Sequence, residues 1–158
     1  MRSAVIFYSY SGNTKKVALE LNKYLGERGS VELIEIKGLD ESGNFFKQSN
    51  RAFFQKEAII QGAKLDLSSF DMICLGTPVW AFGPAPAMNT YLKECSGLQG
   101  KNMIIFTTHG SGLGVGRCVK IIEDAVTKKG ANKTRNFSIQ QAKVNDAEFL
   151  LDTFSKIF

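Results

Sequence analysis

Histidine and tryptophan occur once each in these 158 residues, and proline and cysteine three times each. Cys74, Cys95 and Cys118 are widely spaced and form no CxxC pair, which excludes a disulfide framework and a cysteine-based zinc site. They read as reduced thiols, with Cys74 packed as a small hydrophobe inside the run MICL. No apolar run approaches the roughly 20 residues that cross a bilayer. The opening MRSAVIFYSYSGNT lacks an h-region of adequate length and a small-residue cleavage site. The expectation is a cytoplasmic protein without membrane insertion. Dense basic tracts are also missing: the 20 lysines and arginines that leave a net charge of +5 are spread along the chain. No nucleic-acid recognition motif accompanies them, so nucleic acid is excluded as a partner. A modestly basic docking surface is the use that remains for the charge.

What is present fits one domain over residues 1–158, with 44% hydrophobic and 22% charged residues. Ala4 to Tyr8, Met72 to Leu75 and Met103 to Phe106 are short apolar runs, each followed by Gly, Ser, Thr or Pro. Such runs suit central parallel strands covered on both faces. Val31 to Ile36 and Thr134 to Ile139 mix polar and apolar residues and suit sheet edges. Between them, apolar residues recur at three and four positions: Val17, Leu21 and Leu25; Pro86 through Leu92; Val119, Ile122 and Val126; and Val144, Ala147, Leu151, Phe154 and Phe158. Strand and helix alternate. The expected fold is α/β, a single doubly wound sheet of five parallel strands in the order 2-1-3-4-5 with helices on both faces and a ligand site at the strands' carboxyl ends. The long connection Asp40 to Asp66 is expected to contain a helix over roughly Asn44 to Gln61. Its Phe45, Phe46, Phe53 and Phe54 either pack on the sheet, cover a ligand or dock a partner.

Three loops carry the chemistry. After the first strand, Ser9, Tyr10, Ser11, Gly12, Asn13 and Thr14 bring hydroxyls, a glycine and free N–H groups to a helix N-terminus expected near Lys15. Free N–H groups and the helix dipole suit a terminal phosphate. The loop is neither a GxxxxGK[ST] sequence nor a dinucleotide fingerprint, so a monophosphate is favoured. The segment from Gly76 to Met88, read as a loop after the third strand, holds Thr77, Pro78, Val79, Trp80, Ala81 and Phe82, with Trp80 placed to stack on a flat aromatic ligand. After the fourth strand, Thr107, Thr108, His109, Gly110, Ser111 and Gly112 expose backbone donors for the carbonyls of such a ring.

SYSGNT, GTPVWAFGPAPAM and TTHGSGLGVG, in that order and each behind its strand, resemble the three cofactor loops of the flavodoxin family, and the resemblance covers essentially the whole chain. It implies non-covalent FMN, not FAD, because there is one phosphate loop and no second domain. By this resemblance Ser9 to Thr14 hold the phosphate, Thr77 to Phe82 border the ring with Trp80 stacked on one face, and Thr107 to Gly112 meet the pyrimidine side. A carbonyl near Ala81 to Gly83 would accept a hydrogen bond from the reduced ring. No catalytic side chain and no metal is implied. The function implied is electron transport between redox-protein donors and acceptors; the alternative is an oxidoreductase that uses FMN to pass electrons from NAD(P)H to a quinone or flavin. A flavin-binding regulatory module is a third class. Two features depart from the family pattern: the net charge of +5, where its carriers are acidic, and His109 in a loop position that is usually small. A protonated His109 would stabilise negative charge at the ring's pyrimidine edge.

Overall fold

The computed structural model describes residues 1–39 and 58–158. Strands β1 (Arg2–Tyr8), β2 (Ser30–Gly38), β4 (Met72–Trp80), β6 (Asn102–His109) and β7 (Lys133–Gln140) are parallel and run in the order β2-β1-β4-β6-β7. Helix α1 (Asn13–Gly26) connects β1 to β2, α2 (Pro86–Glu94) precedes β6, α3 (Val115–Lys128) connects β6 to β7, and α4 (Ala147–Ile157) closes the chain. Side chains alternate across the sheet, which divides the core in two. Ile6, Tyr8, Ile73, Leu75 and Ile105 pack with Met88, Val119 and Ile122 of α2 and α3. Val5, Phe7, Cys74, Ile104 and Phe106 pack with Val17, Leu21, Leu150 and Phe154 of α1 and α4. Gly76 lies opposite Phe106 in the register, and a Cβ there would clash with the Phe106 ring at 2.1 Å.

Several expectations are corrected. The sheet has seven strands and is mixed, not five strands and all parallel. A short β3 (Ile60–Gln61) runs antiparallel beside Lys37 and Gly38, so β2 is covered there and is not a free edge. Strand β3 also occupies the end of the helix expected over Asn44 to Gln61; the rest of that expectation, with Phe45 to Phe54, lies outside the described residues. The segment read as a second loop is strand as far as Trp80. It then turns at Ala81 and Phe82 into β5 (Gly83–Pro84), antiparallel to β4. In α4 the buried residues are Leu150 and Phe154, while Leu151 is exposed. Val144 is buried but follows a one-turn 3₁₀ segment (Gln141–Lys143), which shifts the helical phase away from the pattern read through Val144. Among the described residues no helix is long and apolar enough to cross a membrane.

Candidate cofactor cleft

At the carboxyl ends of β1, β4 and β6 lies a cleft of about 370 Å³, within the usual range for small-molecule sites. Tyr10, Ser11, Asn13 and Thr14 line it from the first segment, Pro78, Val79 and Trp80 from β4, and Thr108, Gly110 and Ser111 from the third. Residues more than 90 positions apart are thus brought onto one wall. Thr14 and Thr108 are both buried, with hydroxyl oxygens 2.7 Å apart, so a hydrogen bond ties the start of α1 to the end of β6.

The first segment is built for an anion. Helix α1 begins at Asn13, two residues earlier than the sequence suggested, with Gly12 at its N-cap in the left-handed conformation (φ 89°). The N-cap Gly12 offers no capping side chain and no acidic residue occupies the first turn, and Asn13 and Thr14, whose N–H groups lead the helix, line the cleft. The Lys15 N–H donates to Ser9 Oγ (3.2 Å) and Asn13 Nδ2 donates to Ser11 Oγ (3.3 Å). Ser9 and Gly12 shape the loop without lining the cleft.

The second segment divides between wall and support. Thr77 is fully buried; its hydroxyl accepts the Ala85 N–H (3.1 Å) and donates to the Pro78 carbonyl (3.2 Å), which fastens the β4–β5 hairpin. Trp80 lines the cleft but is only 6% exposed, its indole meeting Tyr8 and Tyr10 edge-on at centroid distances of 5.8 and 5.4 Å. The aromatic rings open to solvent around it are Tyr10 and Phe82. Ala81 (φ 45°) and Phe82 (φ 67°) both have positive φ, the geometry of a two-residue primed turn, which normally takes Asn and Gly. Phe82 sits on Gly114, the N-cap of α3 at φ 82°, where a Cβ would come within 2.6 Å of the Phe82 Cα. The second and third segments are therefore packed together through a position that only glycine fits.

The third segment supplies unsatisfied polar atoms. Thr107 is fully buried and its Oγ1 has no hydrogen-bond partner among the described residues; the same is true of His109 Nδ1. Strand alternation puts both side chains on one face of β6, opposite that of Thr108, and the His109 ring packs against Gly112. Neither lines the cleft itself. Buried polar atoms are nearly always paired, so these two orphans fit an ordered water. Sequence reasoning missed Gln141, which completes the cleft, and Gln140, whose Nε2 donates to the Gly110 carbonyl (3.1 Å). Their signal was available, since a polar pair spanning the end of the fifth parallel strand falls at the edge of the sheet where such folds bind ligands.

Solved structures share this architecture. A flavoprotein from Lactobacillus acidophilus in complex with FMN aligns with a TM-score of 0.72 at 22% identity, covering 93% of this chain and 98% of that one. Oxidised flavodoxin 1 from Bacillus cereus aligns at 0.63 and 18% identity, covering 98% of each chain. An NADH:FMN oxidoreductase in its apo form aligns at 0.62 and 15% identity, covering 96% of this chain and 90% of that one. At these identities the likeness establishes the fold. No curated protein sequence gives a match. A model of the flavodoxin family matches residues 47–147, well over half of the chain and two of its three cleft segments, and the chain belongs to that family.

Proposed function

We propose that this chain is a cytoplasmic electron-transfer protein that holds FMN non-covalently in the cleft and passes electrons between redox partners. The observation that carries the reading is the convergence of a glycine-capped helix N-terminus, an aromatic wall and a glycine-rich turn on one cleft. In this reading the N–H groups at Gly12 to Thr14 and the side chains of Ser11, Asn13 and Thr14 take the phosphate, with Ser9 holding the loop. Pro78, Val79 and Trp80, with Tyr10 at the mouth, wall the ring, and Thr77 keeps that wall fixed. Ala81 and Phe82 close one rim. Thr108, Gly110 and Ser111 meet the ring's polar edge, while Thr107, His109 and Gly112 lie directly behind. When bound, FMN supplies the redox chemistry. The chain orients the ring, restricts water and sets the charge around it. No carboxylate occurs in 76–86 or 107–118, so negative charge on the ring meets little electrostatic opposition and reduction is made easier than in an acidic relative.

The test is the absorption spectrum of the purified protein before and after addition of FMN. Flavin bands with a protein-shifted profile support the reading, and failure to bind added FMN sinks it. The fold shared with an NADH:FMN oxidoreductase and the aromatic rings at the mouth favour a second reading, direct oxidation of NAD(P)H with a quinone or flavin as acceptor. Rapid NAD(P)H turnover by the FMN-loaded protein would select it; reduction only through an added reductase selects the carrier.

A further inference from the structure

Several polar side chains that line the cleft are already committed to one another. The Thr14 and Thr108 hydroxyls bond across it at 2.7 Å, Asn13 Nδ2 donates to Ser11 Oγ at 3.3 Å, and Ser111 Oγ accepts the Leu113 N–H at 3.3 Å. Gln141 differs. It lines the cleft as the first residue of the 3₁₀ turn that follows β7, and its carboxamide has no hydrogen-bond partner among the described residues. Its place is nevertheless fixed. Strands β6 and β7 stay in register to their ends, with His109 opposite Gln140. Gln140 Nε2 donates to the Gly110 carbonyl at 3.1 Å, which ties the end of β7 to the third segment. Gln141, the next residue, is thereby held on the side of the cleft formed by Gly110 and Ser111.

A carboxamide carries a donor and an acceptor side by side, Nε2–H and Oε1, and matches any ligand edge that offers the reverse pair. The side chains of Thr108 and Ser111 on the same wall offer one oxygen each. The pyrimidine edge of a flavin is an imide, in which N3–H is flanked by carbonyls at C2 and C4. A carboxamide pairs with N3–H and either carbonyl through two hydrogen bonds, as glutamine and asparagine pair with an adenine edge. A phosphate offers acceptors only, and a ribityl chain offers separate hydroxyls. Neither presents the alternating edge that a carboxamide complements.

We propose that Gln141 is a specificity-determining residue that selects the imide edge of the flavin, its Nε2 donating to a ring carbonyl and its Oε1 accepting from N3–H. Gln140 is the residue that positions it. The inference rests on the FMN reading, in which Thr108, Gly110 and Ser111 meet the ring's polar edge. It goes beyond that reading by giving recognition of the ring to a side chain at the exit of β7, outside the three segments. Because Gln141 is exposed and makes no bond within the protein, its replacement tests ligand recognition without a cost in folding.

The test titrates the full chain, freed of flavin, with FMN and with 3-methyl-FMN. The analogue keeps the phosphate, the ribityl chain and both carbonyls and replaces the N3 hydrogen with a methyl group. Flavin fluorescence gives the two dissociation constants. The unmodified chain is expected to favour FMN by about tenfold to a hundredfold, the discrimination typical of one bidentate pair. Gln141→Ala should weaken FMN about tenfold and leave 3-methyl-FMN nearly unchanged, so the ratio of the two constants narrows about tenfold. Gln141→Met keeps the length of the side chain without its donor and acceptor, and should narrow the ratio as much. Urea unfolding of both flavin-free variants should match that of the unmodified chain. A ratio unchanged in either variant, or equal losses for both flavins, overturns the role of Gln141 while leaving FMN binding intact. A chain that takes up no FMN overturns both.

Discussion

At Thr14 and Thr108 two hydroxyls share one buried hydrogen bond across the cleft floor. Replacing one leaves the other hydroxyl without this partner, a loss of about 1–3 kcal/mol, whereas replacing both with valine removes the polar pair together. Thr108→Val should therefore lower urea-unfolding stability by about that amount, and adding Thr14→Val should cost less than the sum of the singles. Strict additivity in this double-mutant cycle would show that the two segments are not joined here. The cysteines behave differently. Burial raises all three thiols, Cys118 to about 12 and Cys74 further, so the reactive thiolate is scarce at neutral pH. A disulfide reagent at pH 8 should leave all three unlabelled in the folded protein and label all three after denaturation. Fast labelling of the folded chain would refute their burial.

The β4–β5 hairpin shows what an element can hide from sequence reading. Central parallel strands were legible because a strand covered on both faces must be apolar throughout, as in Ala4 to Tyr8. The continuation of β4 was not, because Pro78 cannot donate to a ladder and reads as the end of a central strand. Beyond Gly76, however, β4 has β6 alone as its parallel neighbour, since β1 pairs only as far as the Phe7–Gly76 match. A proline is tolerated where one side of the strand is open. The turn was hidden for a similar reason: Ala81 and Phe82 give no signal for positive φ, and the tertiary contact of Phe82 with Gly114 holds them there. The helix start after Gly12 was legible to within two residues because its signal is local to a strand–helix junction, whereas the orphaned Thr107 and His109 atoms depend on tertiary packing. Ala81→Gly should relieve strain and raise stability by about 1 kcal/mol. Gly114→Ala forces its Cβ against Phe82 and should destabilise by about 1–3 kcal/mol. Chemical denaturation checks both, and a neutral Gly114→Ala would mean that the hairpin tip is not pinned to α3.

Across the whole molecule, the cleft joins the ends of three strands, and the Tyr10 and Trp80 rings meet edge-on between the first two connecting segments. One hydrogen bond links Thr14 to Thr108, one links Gln140 to Gly110, and Phe82 rests on Gly114. A ligand that touches all three segments adds its binding energy to the folded state alone. At a free concentration one hundred times Kd this amounts to about 2.7 kcal/mol. For a chain of this size that corresponds to a rise in Tm of about 5–10 °C. In the proposed reading the FMN phosphate lies at the start of α1, which riboflavin, lacking that phosphate, would leave unused. At equal concentration it should therefore shift Tm much less. Amide exchange localises the effect: FMN should slow exchange in 9–16 and 107–114, with little change around Gly97 and Gly130 at the opposite end of the sheet. Equal stabilisation by riboflavin and FMN would remove the phosphate from the α1 N-terminus, and protection spread evenly over both ends would mean that the ligand acts on global stability without ordering the cleft.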